Sequence, residues 1–120
     1  MKLLAYEVDK RSFLGVLNED ETWVYPVAAA GMEYRSMKDL IREAGSSEME
    51  MLDYISKKMP GDVIGAAPVE EIKVVSPIAE PDQDIICLGM NFRDHGEESA
   101  RYKKEAFERD QNYPVYFSKR

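Results

Sequence analysis

His95 is the only histidine in the 120-residue chain, and Glu98 follows it three positions later. A neutral imidazole accepts a proton near pH 7 and the imidazolium returns it. Residues three apart on a helix share a side, so the carboxylate can orient and polarise the ring. The pair is a candidate acid/base dyad. The same spacing on a charged helix also describes two surface neighbours that add only a small increment of helix stability. The elements around the pair therefore carry the decision.

Upstream, Ile85, Ile86, Cys87 and Leu88 form a continuous apolar run that ends in Gly89, which predicts a buried strand over residues 84–90. Polarity then begins abruptly. Asn91 can hydrogen-bond across the strand end and hold the turn that presents His95, or serve as an ordinary turn residue. Residues 93–110 contain eleven charged side chains in eighteen, with only Ala100, Tyr102, Ala106 and Phe107 as a thin apolar stripe. Such a helix cannot bury a wide face and falls at the low-stability end, where lids are drawn from. Cys87 is the sole cysteine, so no disulfide forms within the chain, and its apolar strand favours packing over nucleophilic work.

The order Ile85-Ile86-Cys87-Leu88-Gly89-Met90-Asn91-Phe92, then His95 and Glu98, then Pro114-Val115-Tyr116-Phe117-Ser118-Lys119, resembles the opening of the catalytic domain in the fumarylacetoacetate hydrolase family. That family runs a strand into Gly-x-Asn-Tyr, then a histidine and a glutamate, then a Pro-x-x-Phe-x-Lys strand. Phe92 stands where tyrosine is usual. The motif covers about the last third of the chain. The resemblance implies a metal-dependent enzyme that hydrolyses, decarboxylates or isomerises acylpyruvates or related 2-oxo and 2-hydroxydienoic acids. It assigns catalytic roles to His95, Glu98 and Lys119, with Lys119 stabilising negative charge on substrate or intermediate. It also implies magnesium or manganese held by two glutamates and an aspartate beyond Arg120, and a homodimer when complete. On that reading the chain is a front piece with no turnover of its own.

Before this region, residues 2–8, 12–18 and 22–27 read as three short strands joined by polar turns. Leu4, Tyr6 and Val8 share one face, as do Phe13, Gly15 and Leu17. A small antiparallel meander is expected. Ser36 with Asp39 predicts a helix N-terminus, with Met37, Leu40, Ile41 and Ala44 at helical spacing before Gly45. Ser47 with Glu50 predicts a second, with Met49, Leu52, Ile55 and Met59 along one stripe before Pro60-Gly61. Residues 62–66 and 71–75 are candidate strands around Pro68. Pro77 and Pro81 mark a boundary. The expected class is α+β: an N-terminal meander with two helices over residues 1–76, then the first strands of a β-rich catalytic domain over 77–120.

A formal net charge of −7 argues against a phosphate-binding surface, so no nucleic-acid partner is expected. No apolar run reaches membrane-spanning length, and Lys2 and Glu7 interrupt any secretory core, which points to a cytoplasmic protein. The expected partner is a small 2-oxo acid. A non-catalytic interaction or folding module derived from the same family is the competing reading.

Overall fold

The computed structural model describes residues 1–89 and 115–119. The chain divides into two compact units, Met1–Ala79 and Glu80–Arg120.

In the first unit, β1 (Leu3–Val8), β2 (Arg11–Leu17) and β3 (Trp23–Pro26) make the expected antiparallel meander. Asp9 and Lys10 form the tight turn between β1 and β2, both at positive φ, 49° and 64°. A two-residue hairpin needs that left-handed pair to match strand twist. β4 (Ala67–Pro68) and β5 (Lys73–Val75) add to the outer edges, giving the order β4-β3-β2-β1-β5. Pro68 sits on an edge strand, where its missing N–H breaks no central ladder. Residues 62–66 are not the strand their sequence suggested. Pro60–Asp62 is a 3-10 turn, and Gly65 adopts φ 80°, so the backbone bends before β4.

α1 (Met37–Glu43) starts where expected, with Ser36 Oγ accepting a hydrogen bond from the Asp39 N–H at 3.2 Å. Only Met37 and Leu40 are buried on it, and Ile41 is exposed, contrary to the sequence pattern. A seven-residue helix turns too few side chains onto the sheet to bury all three. α2 (Ser46–Ser56) begins one residue earlier than expected. Its N-cap is Gly45, whose N–H donates to Glu48 Oε2 at 3.0 Å, so the cap pair is Gly45 and Glu48 rather than Ser47 and Glu50. The Glu48 carboxyl is held below the usual range by hydrogen bonds from its own N–H, from the Ser47 hydroxyl and from Gly45. The helix ends at Ser56, before its stripe reaches Met59, which is consequently exposed.

The main core lies between the helices and one face of the sheet. Val16 and Tyr25 meet Met37, Leu40, Leu52 and Ile55, and each fully buried side chain contributes about 1.5–3 kcal/mol. The Tyr25 hydroxyl reaches the Lys58 carbonyl at 2.7 Å, fastening β3 to the chain just after α2. The opposite face buries Leu4, Tyr6 and Val24 against Val8, Leu17 and Ile72. Both faces of this small sheet therefore bury apolar side chains.

In the second unit, β6 (Ile85–Gly89) pairs antiparallel with β7 (Val115–Lys119). Gly89 lies opposite Val115, and Ile85 opposite Lys119. The strand forms where the apolar run placed it, but Ile85, Ile86 and Leu88 are exposed rather than buried. Among the described residues the ribbon is a sheet of two strands, which leaves its faces uncovered.

Candidate functional site

The ribbon frames the region that the sequence marks for chemistry. β6 runs toward Gly89, and β7 starts at Val115 directly across from it. His95, Glu98 and Asn91 lie outside the described residues. The lid expected over 93–110 lies outside them as well.

Lys119 is described. It is exposed at the far end of β7, opposite Ile85, and four strand residues, about 13 Å, from the Gly89 end. Directly paired residues of an antiparallel ladder project on one face. Lys119 therefore shares a face with Ile85, Phe117 and Cys87, while Ile86, Leu88 and Tyr116 occupy the other. The lysine stands on the same face as exposed apolar side chains.

Cys87 contributes little chemistry. Its thiol lies 3.9 Å from the Ile85 carbonyl, a weak contact along its own strand. Among the described residues, no group of three His, Cys, Asp or Glu side chains could hold a metal ion. The described residues thus hold no set of side chains that fits the ion implied by the family resemblance. No helix among them is long and apolar enough to cross a membrane.

Two features of the first unit escaped the sequence reading. The turn between β2 and β3 is tied by Asn18, whose Oδ1 accepts from the N–H groups of Thr22 and Trp23 at 3.0 and 2.9 Å, with Asp20 bonded to the Thr22 hydroxyl. Hydrogen bonds donated by the Thr22 hydroxyl and by the Thr22 N–H, the latter at 3.1 Å, hold the Asp20 carboxyl below its usual range. The Thr22 hydroxyl is the largest cause. The other feature is an open cleft of about 420 Å³ beside the first residues of β2, lined by Leu14, Val27, Met32 and Tyr34 among others. It opens where β3 stops at Pro26, opposite Gly15, while four residues of β2, Arg11–Leu14, run on.

The chain is 30% identical over 105 residues to the oxaloacetate tautomerase YisK of Bacillus subtilis (strain 168), an alignment that covers 79% of this chain and 35% of that protein. The chain spans about a third of the length of the curated relative it matches. No family model matches it.

Proposed function

We propose that this chain is the front part of a fumarylacetoacetate hydrolase-like enzyme that moves protons on a small 2-oxo acid, with keto–enol isomerisation as the reaction. The observation that carries this reading is one sequence of features: a strand ending at Gly89, a histidine six residues on, a glutamate three further, and a strand ending in Phe117-Ser118-Lys119. The alignment supports it. A protein named for tautomerising oxaloacetate favours the isomerase branch over hydrolysis or decarboxylation.

The chemistry asked of the chain's own residues is modest. His95 in its neutral form removes the proton from the carbon next to the ketone, and the electron pair moves into the carbonyl to leave an enolate. The imidazolium then gives a proton to the enolate oxygen, which yields the enol and returns the ring to its starting state. Glu98 fixes the ring and stabilises its charged form. Such positioned acid/base groups typically supply about 10²–10⁴ in rate. Lys119 balances the negative charge that collects on oxygen, an electrostatic task that grows toward the transition state. A divalent ion, magnesium or manganese, would supply Lewis-acid polarisation of the 2-oxo acid and would be held by residues outside the described ones.

The test is proton exchange in heavy water. The longer protein that contains this chain, given oxaloacetate and magnesium, is expected to exchange the hydrogens on the carbon beside the ketone well above the uncatalysed rate, followed by NMR. Exchange at the uncatalysed rate with both magnesium and manganese would refute the reading.

A further inference from the structure

We draw no further inference here: the strongest candidate, the open cleft beside the first residues of β2, is lined by Glu33 and Arg35 as well as by Leu14, Val27 and Met32, so its charge selects no class of ligand, and nothing in the structure shows what covers it.

Discussion

Gly15 is the residue on which the sheet is least forgiving. A Cβ there would lie 2.6 Å from Val24 Cγ2, 2.7 Å from Tyr6 Cε1 and 2.9 Å from the Tyr25 carbonyl oxygen, distances that force neighbours to move. Gly15→Ala is expected to cost about 1–3 kcal/mol, read as a lower urea midpoint, whereas a change within error would show that the sheet can relax there. Lys10 presents the reverse case. It holds φ 64° in the hairpin turn, a conformation that costs an L-residue about 1–2 kcal/mol and glycine almost nothing. Lys10→Gly should raise stability by about 0.5–1 kcal/mol in the same measurement, after the glycine's greater unfolded-state entropy is subtracted. The sequence showed a polar turn at these positions. Its left-handed geometry was hidden because no Asn-Gly or Asp-Gly pair announces it.

At the scale of elements, the period-two alternation of β1 and β2 and the Ser36 cap of α1 were legible because each rests on local chemistry that tertiary context did not override. Caps and ends of α2 were less so. Ser46, Ser47, Glu48 and Glu50 offer several overlapping cap registers, and packing of Leu52 and Ile55 on Val16 and Tyr25 selects the one that begins at Gly45. The apolar run of β6 was read correctly as a strand and wrongly as a buried one. Hydrophobicity states what a strand needs to cover, and the covering element must come from elsewhere. Ile86, Leu88 and Tyr116 on one face of the ribbon, with Ile85 and Phe117 on the other, leave apolar side chains exposed on both faces among the described residues. In the 120-residue chain the amides of β6 and β7 should therefore exchange near the intrinsic rate. Those of Val16 and Tyr25 should exchange at least about a thousandfold more slowly. Equal protection in the two sets would mean that the ribbon is packed and the reading of its faces is mistaken.

For the whole molecule, core and proposed chemistry fall in different units. The N-terminal one carries the continuous core, and the second carries the residues to which chemistry is assigned. The candidate site was legible only as a motif, since the order of strand, histidine, glutamate and lysine is written in the chain while the substrate-bearing surface is not. His95 as the proton carrier, with Glu98 as its orienting partner, is the proposal on which the rest depends. It is tested most directly by steady-state tautomerisation of oxaloacetate by the longer protein with magnesium, comparing His95→Ala and Glu98→Ala with the parent. Loss of about 10²-fold or more in kcat for His95→Ala, with a smaller loss for Glu98→Ala, is the expected result. Parental kcat in the His95→Ala protein would contradict it.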